Sequence, residues 1–259
     1  MDLGLAGRLV AVTGAGAGIG RAAARQLAAE GARLVLASRD RGRLESAAEE
    51  ARAAGAPQVD VVAADLTTPD GVAALTEAAR RRAPLWGLLA CVGSTPIGTF
   101  DEIDDEAWQV AFTTKFLASV RAMRAAAGLM RDGEGGRIVV VAGNAAADAP
   151  PGMVTSTAIN AALAGLVAST GRLLAPHGIG VAALHPGPTR TGRYASLLAH
   201  RAAHAGGDEE AAAKALAAQI PVGHPAEPDD VAAAATYLLS PRAAHLVATS
   251  VTVDGGQTR

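Results

Sequence analysis

The sequence predicts a doubly wound α/β domain, with one parallel sheet of seven strands and helices on both of its faces. Three observations lead there. Seven short apolar runs alternate with longer helical stretches from one end of the chain to the other. The first run passes through a glycine-rich turn straight into a helix. No internal repeat and no linker rich in Gly, Ser or Pro divides the 259 residues, so they read as a single domain, 1–259.

The elements follow in order. Residues 9–12, 34–37, 59–63, 87–92, 138–141, 181–184 and 251–253 read as strands buried on both faces, because they are short and almost uniformly apolar. Helices are expected near 21–30, 41–54, 70–82, 106–130, 157–175 and 229–239. Residues 188–225 fit neither pattern: they are Ala-rich, carry several histidines and are bracketed by prolines. The segment is too long for a simple connection, and such insertions commonly form lids over a site.

Composition narrows the function classes. Half of the residues are hydrophobic and 19% are charged, enough apolar surface for a sizeable core. A formal net charge of −2 gives no electrostatic reason to expect nucleic acid or an anionic membrane as partner. Cys91 is the only cysteine, so no internal disulfide forms and a reducing, cytoplasmic setting is the expectation. The first strand starts within ten residues, which leaves no space for a signal peptide. No apolar run approaches the roughly 20 residues that a membrane span needs. Arginine dominates the 23 basic residues, with Lys115 and Lys214 the two lysines; Tyr194 and Tyr237 are the two tyrosines.

The turn after the first strand reads Thr13-Gly14-Ala15-Gly16-Ala17-Gly18-Ile19-Gly20. Its glycines permit a tight turn and let backbone approach a pyrophosphate, while the following helix presents free N–H groups and the positive end of its dipole. A strand before it and a helix after it are the setting in which such a run binds a dinucleotide.

The spacing of this turn resembles the short-chain dehydrogenase/reductase family, and the resemblance covers almost the whole chain. It implies a single Rossmann-fold domain with Gly14, Gly18, Ile19 and Gly20 on the dinucleotide. Asp65-Leu66 resembles the family's adenine contact. Ala90-Cys91-Val92-Gly93 stands where the family has Asn-Asn-Ala-Gly, keeping Gly93. His185-Pro186-Gly187-Pro188-Thr189 is similar to the Pro-Gly turn flanking the nicotinamide, with Pro186, Gly187 and Thr189 as the expected contacts. Val253-Asp254-Gly255-Gly256 resembles the closing strand. The resemblance also implies a homotetramer or homodimer, built on the helices near 106–130 and 157–175.

The end of the second strand distinguishes the cofactors. An acidic residue there would bind the ribose 2′-hydroxyl and repel a 2′-phosphate. This chain has Ser38-Arg39, whose guanidinium suits a phosphate, so NADP(H) is expected ahead of NAD(H).

Members of the family that move hydride use an Asn-Ser-Tyr-Lys tetrad. Aligned through neighbouring landmarks, all four positions differ here: Lys115 for the asparagine, Gly143 for the serine, Ser156 for the tyrosine and Asn160 for the lysine. A serine hydroxyl is a far weaker acid than a phenol with pKa near 10, so the family's proton transfer does not carry over to Ser156. Lysine and asparagine stand exchanged, which makes Lys115 the candidate acid, base or Schiff-base nucleophile if it is buried. Ser156, Asn160 and, from the lid, Tyr194 complete the catalytic candidates; Thr155, Asn144 and His185 are weaker ones. His200 and His204 have metal-compatible spacing but lack further ligands, so no metal is expected.

The leading expectation is an atypical NADP(H)-dependent oxidoreductase acting on a small carbonyl or alcohol. Two alternatives stay open: a non-redox enzyme of aldol, cyclase or lyase type on the same fold, and a catalytically silent dinucleotide sensor or subunit.

Overall fold

The computed structural model describes residues 2–204 and 206–258. Seven strands, β1 (Leu9–Thr13), β2 (Arg33–Ser38), β3 (Val59–Ala63), β4 (Leu85–Ala90), β5 (Gly136–Val141), β6 (Ile179–Pro186) and β7 (Thr249–Val253), form one sheet in the order β3-β2-β1-β4-β5-β6-β7. Every neighbouring pair is parallel. The order reverses between β1 and β4, so a crevice opens beyond their carboxyl ends, where open α/β sheets bind ligands.

Parallel pairing explains why the strands read as uninterrupted apolar runs: alternate residues feed two cores. Leu9, Ala11, Leu88, Ile138 and Val140 face one layer, packed with α3 (Pro69–Arg80), α5 (Ala118–Arg131) and α7 (Val154–Leu174). Val10, Val12, Leu34, Leu36, Leu89 and Val139 face the other, packed with α1 (Gly18–Ala29), α2 (Arg41–Ala53) and α10 (Pro228–Leu239). Buried Arg137 ties the sheet to the end of α10, donating to the carbonyls of Leu238 (2.9 Å) and Leu246 (2.8 Å).

The single helix expected over 106–130 is three segments. They are α4 (Asp105–Ala111), a π-helical stretch (Phe112–Leu117) and α5. One residue's worth of extra winding per turn barely disturbs an apolar pattern, so the sequence periodicity does not report it. A short α6 (Ala145–Asp148) precedes α7, and the 188–225 segment folds into α8 (Gly192–Ala203) and α9 (Glu209–Ala217). One expectation needs correcting: Val154–His177 is long and apolar enough to cross a membrane by length and composition. In the fold it lies on the sheet, with Ile159, Leu163, Val167 and Leu174 in the core.

Candidate active site

Two adjoining hollows open at the carboxyl ends of the strands. The smaller, about 150 Å³, is lined by Gly14, Ser38, Arg39, Asp65, Leu66, Gly93 and the start of α5. The sequence marked all six of these residues. The larger, about 270 Å³, lies between Gly93, the end of β5, the Pro186–Thr191 turn and helices α8 and α9.

The glycine loop is built for close approach. At Gly14, φ is +67° and a Cβ would fall 1.9 Å from the Cys91 carbonyl oxygen, so β1 and β4 meet there only through glycine. The N-cap of α1 is Ala17, which offers no side-chain acceptor, and its N–H groups are left to bond whatever occupies the loop. Thr191, missed by the sequence reading, stands over this loop: a Cβ on Gly18 would meet its methyl at 3.1 Å. Thr189 turns inward instead, buried and donating to the Gly187 carbonyl at 3.0 Å. Asp65 accepts from the Thr67 N–H at 2.9 Å, which with the nearby Arg39 charge holds its carboxyl below the usual range. Arg39 is exposed at the rim; the cap of α2 is Asp40, not Arg39. Loop, rim guanidinium and carboxylate fit a phosphorylated dinucleotide.

Beyond Gly93 the chain runs along the π-helical stretch. A Cβ on Gly93 would meet Lys115 Cα at 2.8 Å, so this glycine, with φ +76°, lets the loop rest against the helix beneath it. Winding there turns Lys115 into the cavity, where it is 9% exposed and donates from Nζ to the Ala142 carbonyl at 3.0 Å. Burial, reinforced by the Arg193 charge, brings its pKa down to about 8. The burial that the catalytic candidacy of Lys115 required is therefore met, and its ammonium bonds to the Ala142 carbonyl rather than to Asn160. Asn160 is buried against the empty side-chain space of Gly143, where a Cβ would lie 2.6 Å from its Nδ2. Among the described residues Asn160 Oδ1 has no hydrogen-bond partner.

Ser156 lies at the cavity wall, sharing a short hydrogen bond with Thr95, and Arg193 reaches over both. Neither Thr95 nor Arg193 was singled out from the sequence. Thr95 is 61 residues from its partner, and an arginine opening an Ala-rich helix reads as surface. Tyr194 packs with Leu197 and Leu216 in a small apolar cluster between α8 and α9, and also lines the cavity. Asn144 lines it too, donating to Gln257 Oε1 at 2.9 Å, whereas Thr155 points away toward the Pro96 carbonyl at 2.9 Å. His185 does not reach it; its ring is held by the Gly143 carbonyl (2.9 Å) and Ser250 (3.2 Å). The ring of His200, on α8, stacks 4.4 Å from that of His204, the C-cap of the helix, and no group of three or more metal-ligating side chains forms among the described residues.

Geometry of this kind defines a Rossmann-type dinucleotide protein with a small-molecule cavity beside its cofactor crevice. Residues 8–202 match the short chain dehydrogenase family model, and the chain belongs to that family. It is 30% identical over 257 residues to NADPH-dependent reductase BacG of Bacillus subtilis (strain 168), covering 97% of this chain and 98% of that one. It is 32% identical to L-xylulose reductase of Bos taurus over 257 residues, covering 99% and 98% of the two chains. Among solved structures it resembles L-sorbose reductase from Gluconobacter frateurii complexed with NADPH and L-sorbose, with TM-score 0.92, 30% identity and 99% and 98% of the chains covered. YwfH, an NADPH dependent reductase involved in bacilysin biosynthesis, gives a TM-score of 0.91 at 29% identity, covering 98% and 99%.

Proposed function

We propose that this protein is an NADP(H)-dependent reductase of small carbonyl compounds in which Lys115 takes the proton-donating role. The observation that carries the reading is Lys115 itself: a buried ammonium with pKa about 8, on the cavity wall, one loop away from a glycine cradle. Its support from relatives is that BacG and L-sorbose reductase are NADPH-linked by name.

Gly14, Gly18, Ile19 and Gly20 would hold the pyrophosphate, Arg39 with Ser38 the 2′-phosphate, and Asp65 and Leu66 the adenine. Gly93, Pro186, Gly187 and Thr189, joined by Thr191, would frame the nicotinamide. When bound, the reduced dinucleotide supplies a hydride. The chain's own part is the proton. At neutral pH the Lys115 ammonium carries one, and burial makes its loss easier than from an ordinary lysine. Delivered to the carbonyl oxygen, it completes the alcohol and leaves a neutral amine, which solvent recharges through the cavity mouth. Ser156, held by Thr95, is a hydroxyl that donates to the same oxygen and orients it. Asn160, with an unpartnered Oδ1, and Tyr194 contribute polar and aromatic wall. We extend the reading to a cytoplasmic homo-oligomer; exposed Val110 and Phe112, on α4 and the π-helical stretch, supply apolar surface for it.

The test is turnover. A carbonyl panel with NADPH, followed at 340 nm, is expected to reveal a reduced substrate. Lys115→Met is expected to lower kcat by about 10²–10⁴-fold, the usual contribution of a general acid. Unchanged turnover in that variant would remove Lys115 from the mechanism. The non-redox and sensor alternatives predict NADPH binding with no consumption by any member of the panel.

A further inference from the structure

Charge in the larger cavity is one-sided. Lys115, Arg193 and Arg201 line it, and the one carboxylate on its wall, Asp148, is exposed at the edge. None of the three cations takes part in a salt bridge among the described residues. Cys91 supplies no compensating anion, because burial pushes its thiol up to about 11. Bringing two cations into one poorly solvated hollow without a counter-ion is unfavourable, and both Lys115 and Arg193 have their pKa values lowered by burial. Such an arrangement is stabilised when an anion enters.

Arg193 is the group built to receive it. It is the second residue of α8, and its side chain lines the cavity. There one arm donates to the Thr95 carbonyl, and the other lies 3.4 Å from both Thr95 Oγ1 and Ser156 Oγ. Those two contacts are long for hydrogen bonds, so this arm is weakly engaged toward the cavity. A guanidinium fixed in this way offers a planar pair of donors suited to a carboxylate. Arg201, further along the same helix and loosely held to Gln219 Oε1 at 3.4 Å, adds a second positive group at the mouth.

We infer that the substrate is an oxo acid: a small carbonyl compound whose carboxylate is held by Arg193, which brings its carbonyl to Ser156 and Lys115. The cavity of about 270 Å³ also borders the nicotinamide turn, which restricts the acid to a small one. This inference rests on the reductase reading for the fate of the carbonyl, while the anion site stands on its own geometry.

The test uses matched pairs with the NADPH-loaded protein: pyruvate, acetoacetate, 4-oxopentanoate and 4-oxocyclohexanecarboxylate, each against its methyl ester. Binding is read by calorimetry and turnover at 340 nm, with inorganic phosphate as a competing anion. At least one acid is expected to exceed its ester by about tenfold or more in affinity or kcat/KM, as charge-assisted bonds to a fork permit. Arg193→Gln is expected to bring that ratio toward one through KM, with Arg193→Lys between the two. Binding of no acid at millimolar concentration, or esters equal to acids, would overturn the proposal. So would a preference that survives Arg193→Gln, or phosphate binding tighter than every acid. Loss of NADPH affinity in Arg193→Gln with an unchanged acid-to-ester ratio would assign the arginine to the dinucleotide and also overturn it. Acid binding that depends on Arg193 without NADPH oxidation would sustain the anion site and contradict the reductase reading alone.

Discussion

Lys115 connects sequence, burial and chemistry at the scale of a single residue. Its pKa of about 8, against an ordinary 10.5, means that the folded chain binds fewer protons than the unfolded chain between those values. Stability therefore rises with pH through that window, and the cost of the buried charge is fully present below pH 8. The cost is on the order of 3 kcal/mol. Lys115→Met is accordingly expected to raise the melting temperature at pH 7 by several degrees even as it lowers turnover, and the gain should fade toward pH 10.5. Scanning calorimetry across pH checks this; a variant that melts lower at pH 7 would contradict the burial argument. Loss of the same proton sets the rate: kcat/KM for reduction is expected to fall as pH rises through about 8. At the cofactor rim, Arg39→Ala is expected to weaken NADPH binding by about tenfold or more while changing NADH little, as measured by fluorescence titration. The inward position of Lys115 could be anticipated because lysine is so rare in this chain. Arg193 could not, since nothing local distinguishes a buried arginine from the many exposed ones.

Elements decide where these residues point. The strands were legible because parallel pairing buries both faces, and Val139 and Val140 alone show how neighbours in one run feed opposite cores. The starts of α2 and α3 fall within a residue of the expected ones, and each carries a side-chain cap, Asp40 and Thr68. The π-helical stretch was not legible, because its extra winding barely disturbs the apolar pattern around it. Nor were α8 and α9, whose Ala-rich pattern fits lid and loop alike until Leu197 and Leu216 are seen to meet. The join between sheet and α10 gives a prediction at this scale. Arg137→Met leaves the Leu238 and Leu246 carbonyls without their donor, and is expected to cost about 2–3 kcal/mol, read by urea unfolding. An unchanged midpoint would mean that packing, rather than those bonds, fixes α10.

Across the whole molecule, the sheet reversal between β1 and β4 places the glycine loop, the Gly93 turn and α8 around one crevice. Packing then fixes the side chains at the end of that crevice. Gly143 leaves space that Asn160 fills, and Lys115 anchors to the adjacent carbonyl of Ala142. Gly143→Ser is thus expected to destabilise the fold, since its Cβ would lie 2.6 Å from the Asn160 amide. The resemblance located these positions along the chain; their mutual packing is a three-dimensional fact that spacing does not contain.

The central claim is that a buried lysine serves an NADPH-linked reduction, and single-turnover oxidation of bound NADPH by a reducible carbonyl, recorded at 340 nm across pH, tests it most directly. The account predicts a rate that is flat at neutral pH, declines through about pH 8 and collapses in Lys115→Met with NADPH still bound. A pH-independent rate that survives that substitution would contradict it.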